Sequence, residues 1–196
     1  GKNKALISVF AGSRKSEIIV LMPILLDFIK LMNEKYTDMT YVFHSTKEYS
    51  QLIQSFINES TLTNCEIVSD DKIKSHILQK SIFAVAKSGT VSLEICKSKI
   101  PSIILYKMNL INYIIIKTLV KVKFANIINI AANEEIIPEL LQSKCNAKNI
   151  FETVNYFINN PNKMKEQINK SQLILDKLKS STPSAITASK ILIKFL

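Results

Sequence analysis

Two short stretches carry residue types that could do chemistry: "FAGSRKSE", Phe10 to Glu17, and "AKSGTVSLE", Ala86 to Glu94. The chain has three glycines and, among 26 basic residues, one arginine, because lysine is used everywhere else. Gly12, Gly89 and Arg14 all fall in these two stretches, each directly after a short apolar run. Glycine lets the backbone turn sharply and approach a ligand closely. Ser13 offers a hydroxyl, and Arg14 a planar fork that suits phosphate oxygens better than the point charge of lysine. In the second stretch Ser88, Gly89 and Thr90 would open a helix, with Glu94 one turn in. Small donors at a helix N-terminus suit a diphosphate, and a carboxylate can accept from both hydroxyls of a ribose. Taken alone, the second stretch also reads as an ordinary helix cap with Glu94 complementing the dipole.

Neither stretch has the spacing G-x-x-x-x-G-K-[ST] or G-x-G-x-x-G, so a P-loop nucleotidase and a dinucleotide oxidoreductase are poorly supported. What remains is an anion of the nucleotide-diphosphate kind held between two turns. His44 ends an apolar run and His76 lies within a helical stretch, with no nucleophile motif beside either, and both read as structural. Cys65, Cys96 and Cys145 are too scattered for a disulfide framework or a zinc site, which fits a reducing compartment. The reading calls for no metal and no cofactor.

Apolar runs alternate with stretches of helical period: "ALISVF", Ser16 to Tyr36, "TYVFHS", Lys47 to Glu59, "CEIVS", Asp71 to Lys80, "SIFAVA", Thr90 to Lys99, "PSIILY". Runs that are apolar throughout belong to strands covered on both faces, and a βαβ order implies parallel pairing with right-handed crossovers. The expected fold is α/β: a Rossmann-like parallel sheet with helices on both faces. After "NIINIAA" the pattern turns to helices only, Asn146 to Asn159, Pro161 to Lys179 and Pro183 to Leu196, which form a C-terminal helical layer. The expectation is one domain over residues 1–196, with a core to about residue 145.

The formal charge is +10, but the lysines are spread along the chain and read mainly as solvated faces. No interleaving of basic and aromatic residues of the RNA-binding kind is visible. The stretch "NLINYIIIKTLVKVKF", Asn109 to Phe124, reads either as a buried helix or as an interfacial patch for anionic lipid, with Lys117, Lys121 and Lys123 near its end. No apolar run is long enough to span a bilayer, and "GKNKALISVF" reads as a chain cut just before a strand.

Four segments together, "AGSRKSEI", "KSGTVSLE", "YKMNLINYIIIKTLVKVKFANIINI" and "NEEIIPELLQSKC", resemble the C-terminal half of bacterial lipid-A-disaccharide synthase, in the order and spacing of that family. The resemblance implies one half of a GT-B glycosyltransferase, the half that binds the nucleotide sugar, with the N-terminal acceptor domain absent. It implies transfer of 2,3-diacylglucosamine from its UDP conjugate to 2,3-diacylglucosamine 1-phosphate, with UDP released. Gly12, Ser13, Arg14, Ser88, Gly89 and Thr90 would then hold the diphosphate, and Glu94 the ribose. Asn129 and Glu135 match positions near the donor, Gln142 matches less well, and the backbone from Asp70 to Lys72 would flank the uracil. The catalytic base is expected in the missing domain. The implied setting is cytoplasmic and peripheral to the inner membrane, with a lipid acceptor, contact with anionic lipid, and either a separate N-terminal half or a second copy as partner. Ala11 and Ile128 stand where the family prefers proline, and Asn133 replaces a glycine, so the loops are less restrained than usual. The alternatives are another GT-B enzyme using a UDP-sugar, such as the peptidoglycan N-acetylglucosaminyltransferase, and a non-catalytic module that binds polyanions or membrane.

Overall fold

In a computed structural model of the chain, the structure describes residues 4–107 and 123–180. Six parallel strands form one open sheet: β1 Ala5–Phe10, β2 Met39–His44, β3 Cys65–Val68, β4 Phe83–Lys87, β5 Ser102–Tyr106 and β6 Glu139–Leu141. Their order is β3-β2-β1-β4-β5-β6, the doubly wound arrangement expected from the alternating pattern. Among the described residues seven α-helices connect and cover them: α1 Lys15–Lys35, α2 Lys47–Glu59, α3 Asp71–Lys80, α4 Val91–Lys97, α5 Ile127–Ala132, α6 Ala147–Asn159 and α7 Pro161–Ser180.

Alternation along each strand divides the core in two. Ile7 and Val9 of β1, Phe83 and Val85 of β4, and Ile103 and Leu105 of β5 pack against α1, α2 and α6. Ala84 and Ala86 of β4 and Ile104 of β5 face the other way, against α3, α4, α5 and α7. The helical period of α1 explains its length: Ile18, Leu21, Met22, Leu25, Phe28, Ile29 and Met32 are buried along one stripe.

One strand departs from the sequence reading, which saw helices only after "NIINIAA". β6 runs parallel to β5, with Ile104 paired to Glu139 and Tyr106 to Leu141. Three residues are too few to display a period of two, and their membership in the sheet is decided by backbone pairing. α5 and β6 are joined by a buried polar cluster. The Glu139 carboxylate accepts from the backbone N–H groups of Ala125 (2.7 Å) and Asn126 (2.9 Å) and from Asn129 Nδ2 (2.8 Å). The segments Asn109 to Phe124 and Pro183 to Leu196, singled out in the sequence, lie wholly or mostly outside the described residues. Among those described, no helix is long and apolar enough to cross a membrane.

α7 docks on the sheet through a side chain that imitates a peptide. Gln167, only 4% exposed, accepts from Ser102 N–H at 2.7 Å and donates to Ser102 C=O at 2.9 Å. Removing it strands both backbone groups away from water. Gln167→Ala is expected to lower unfolding free energy by about 1–3 kcal/mol, read from urea denaturation.

Candidate functional site

A cavity of about 320 Å³ lies where β1, β2 and β4 end, the position at which open parallel sheets collect ligands. Phe10 and Lys87 line it from the ends of β1 and β4, Gly12 and Ser13 from the β1–α1 turn, Ser88, Gly89 and Thr90 from the β4–α4 turn, and Val91 and Glu94 from α4. His44, Ser45 and Thr46 close the β2 side, and Asp71 and Lys74 of α3 form the remaining rim. A second hollow of about 590 Å³ adjoins it between α3 and α4 and shares Phe10, His44, Asp71, Lys74 and Glu94.

The β1–α1 turn is shaped by Glu17. Its Oε2 accepts from the N–H groups of Ser13 (2.9 Å) and Arg14 (3.2 Å), and its Oε1 pairs with Lys87 Nζ at 2.8 Å. Gly12 is needed here: with φ at +121°, a Cβ would stand 2.7 Å from Cβ and Oε2 of Glu17. Burial works to raise the Glu17 pKa, but Lys87 and the two backbone donors outweigh it and hold the carboxyl below its ordinary value. Gly89 also takes a positive φ, +154°, in open space. Ser88 is buried, its N–H bonded to Leu105 C=O and its hydroxyl to Ala125 C=O, while Thr90 and Glu94 are exposed.

Seven of the ten residues singled out in the sequence therefore meet around one cavity, or beside it in the case of Arg14, which is exposed and does not line it. Asn129, Glu135 and Gln142 are not among the lining residues. Asn129 is fully buried and wholly engaged: Oδ1 accepts from Ile136 and Ile137 N–H, both at 2.9 Å, and Nδ2 donates to Ile137 C=O and Glu139. Glu135 is exposed and accepts from Glu139 N–H. Gln142 adopts φ of +51° and opens a single 3₁₀ turn after β6. At the loop proposed to flank a base, the Asp70 carboxylate takes the N–H groups of Lys72 and Ile73, and Asp71 reaches the cavity.

Among the cavity residues that sequence reasoning missed, two stand out. Lys87 is one lysine among many, and its only signal was its place as the last residue of a strand just before "SGT". His44 was read as structural, and in part it is. It is 5% exposed, stacked on Phe10 at 4.3 Å, with Nε2 2.8 Å from Ser8 Oγ. Ser8 Oγ lies 2.8 Å from Ser81 Oγ, which donates to Ile77 C=O. Ser81 thus spends its proton on the carbonyl, Ser8 donates to Ser81, and His44 must donate from Nε2, leaving Nδ1 as an acceptor. Burial, helped by Lys74, pushes the ring's pKa down to about 4, so it is neutral at ordinary pH.

Among the described residues no cluster of three or more His, Cys, Asp or Glu could hold a metal. Cys96 and Cys145 are buried and Cys65 partly so, and burial raises their thiols to about 11 or 12, which makes them poor nucleophiles.

The strand order and the cavity at the strand ends define a Rossmann-like α/β unit of the kind that makes up half of a GT-B fold. A family model described as lipid-A-disaccharide synthetase matches residues 1–191, and the chain belongs to that family. The lipid-A-disaccharide synthase of Rickettsia prowazekii is 35% identical over 199 residues, covering 100% of this chain and 52% of the relative. That of Sulfurihydrogenibium sp. is 32% identical over 174 residues, covering 85% of this chain and 45% of the relative. The chain thus spans about half the length of the curated relatives it matches. Among solved structures, UDP-GlcNAc 2-epimerase from Neisseria meningitidis, bound to UDP-GlcNAc, superposes with a TM-score of 0.61 at 14% identity, covering 92% of this chain and 46% of that one. The C-terminal domain of a group 1 family glycosyl transferase (LpcC) from Francisella tularensis gives 0.58 at 13% identity, covering 88% and 85%. These likenesses establish the fold.

The His44 arrangement has a pH signature. The unfolded imidazole titrates near 6.5 and the folded one near 4, so the unfolded chain binds the extra proton between these values. The His44 contribution is complete above pH 6.5 and is lost as pH falls to about 4, a total of about 3 kcal/mol. His44→Gln is expected to flatten that part of the stability profile, measured by urea denaturation at a series of pH values.

Proposed function

We propose that this chain is the donor-binding half of a lipid-A-disaccharide synthase, and that the cavity at the ends of β1, β2 and β4 receives the UDP moiety of UDP-2,3-diacylglucosamine. The observation that carries the reading is the convergence of both glycine turns, Gly12–Ser13 and Ser88–Gly89–Thr90, on that one cavity in a chain of this family. In this reading the turns and Arg14 neutralise the diphosphate, Glu94 accepts from the ribose hydroxyls, and the Asp70–Lys72 loop flanks the base. Asn129 and Glu135 act from behind, by fixing the segment that leads into β6.

The reaction joins the acceptor's 6-hydroxyl oxygen to the anomeric carbon of the donor sugar. The bond from that carbon to the β-phosphate oxygen breaks, its electron pair leaves with UDP, and the hydroxyl proton passes to a base. Stabilising the leaving diphosphate is the part assigned to this chain. The base is assigned to the half of the relatives' length that this chain does not span. The acceptor is 2,3-diacylglucosamine 1-phosphate, and the setting is the cytoplasmic face of the inner membrane, with peripheral contact to anionic lipid.

The expected outcome is that the chain binds UDP without turning over a UDP-sugar. Arg14→Ala and Glu94→Ala should each weaken UDP binding by about tenfold in calorimetric titration, the worth of one charge-assisted contact. Variants that titrate like the wild type would refute the assignment. UDP-diacylglucosamine should compete for the site better than UDP-N-acetylglucosamine.

A further inference from the structure

Arg14 is the cation that the sequence advertises, but the fold holds two lysines at the cavity, Lys74 on the α3 rim and Lys87 between the two glycine turns. Lys87 is the last residue of β4, between the two glycine turns, and its side chain is only 15% exposed. Its ammonium sits 2.8 Å from Glu17 Oε1 and 5.9 Å from the centroid of the Tyr106 ring. Glu17 cannot follow the lysine outward, because its other oxygen is held by the N–H groups of Ser13 and Arg14. One of three ammonium donors is spent on that carboxylate, and the ring stabilises the cation without using a donor. A free lysine loses much rotamer freedom when it grips a ligand; this one is ordered before any ligand arrives. In a site walled by β4 and α4, an ammonium interacts with an anion more strongly than an exposed one does.

We propose that Lys87 contacts the diphosphate of the nucleotide bound in this cavity, a proposal that rests on the reading of the cavity as a UDP site. The competing role is purely structural, an ion pair that ties β4 to α1. The two differ in what they do to ligands: a structural pair is indifferent to whether a nucleoside carries phosphate.

The test is titration of the full chain with UDP and with uridine, for the wild type, Lys87→Arg, Lys87→Met and the double variant Lys87→Met/Glu17→Gln. The double variant removes both charges and leaves no half-buried carboxylate without its cation, so it answers the question even where the single one folds poorly. UDP affinity is expected to fall about tenfold in both variants carrying methionine, to be largely kept by Lys87→Arg, and uridine affinity to stay unchanged in all. The proposal is overturned if the double variant melts near the wild-type temperature and binds UDP within twofold of it. It is also overturned if uridine weakens in parallel with UDP, the mark of a collapsed cavity. A wild type that binds no UDP at all refutes the nucleotide reading of the cavity and the Lys87 contact with it.

Discussion

The Glu17 carboxylate is the tie on which the site depends. One of its oxygens gathers two backbone N–H groups of the β1–α1 turn, and the other reaches across to the end of β4 through Lys87. Two loops that are more than seventy residues apart in sequence thereby share one anchor. The glycine at position 12 follows from the same contact, because the carboxylate lies where a Cβ would be. In a parallel sheet the strand ends are held in register only by the ladder below them, and an ion pair across the top fixes the spacing of the turns that face a ligand.

Behind the site, the two halves of the core are built differently. On the α1, α2 and α6 face, phenylalanine, valine, isoleucine and leucine fill the sheet surface; on the other, β4 offers alanines and the helices complete the packing. Polar anchors supplement the thinner side: Gln167 holds α7 to the edge of β5, and Asn129 with Glu139 binds α5 to β6. A buried carboxylate that accepts three hydrogen bonds has its charge answered by dipoles, and its neighbours are held in one arrangement.

The sheet could be read from the sequence because strands covered on both faces are apolar throughout, and helices of the length of α1 display their period several times over. β6 could not, since three residues show no period and their place depends on β5. The two glycine turns were legible for a physical reason: left-handed or open backbone excludes most side chains, so glycine is kept there against the chain's general avoidance of it. Asn129 carried no comparable signal of its role. An asparagine beside a ligand and one that satisfies four backbone and side-chain partners in the core look alike as a letter. Lys87 was hidden by composition, because a lysine that matters is indistinguishable from the many that do not until its neighbours are known.

The run of hydroxyls from Ile77 through Ser81 and Ser8 to His44 does more than settle a tautomer. With the ring neutral, the cations on both sides of the cavity are answered by carboxylates, Lys74 by Asp71 at 3.1 Å and Lys87 by Glu17 at 2.8 Å, and Glu94 stands on the β4 side as well. The pocket is therefore divided by the kind of group it offers and not by net charge, with the stacked rings of Phe10 and His44 on one side and the two glycine turns with Lys87 on the other. A ligand with a flat ring at one end and polar groups at the other matches that division in one orientation only.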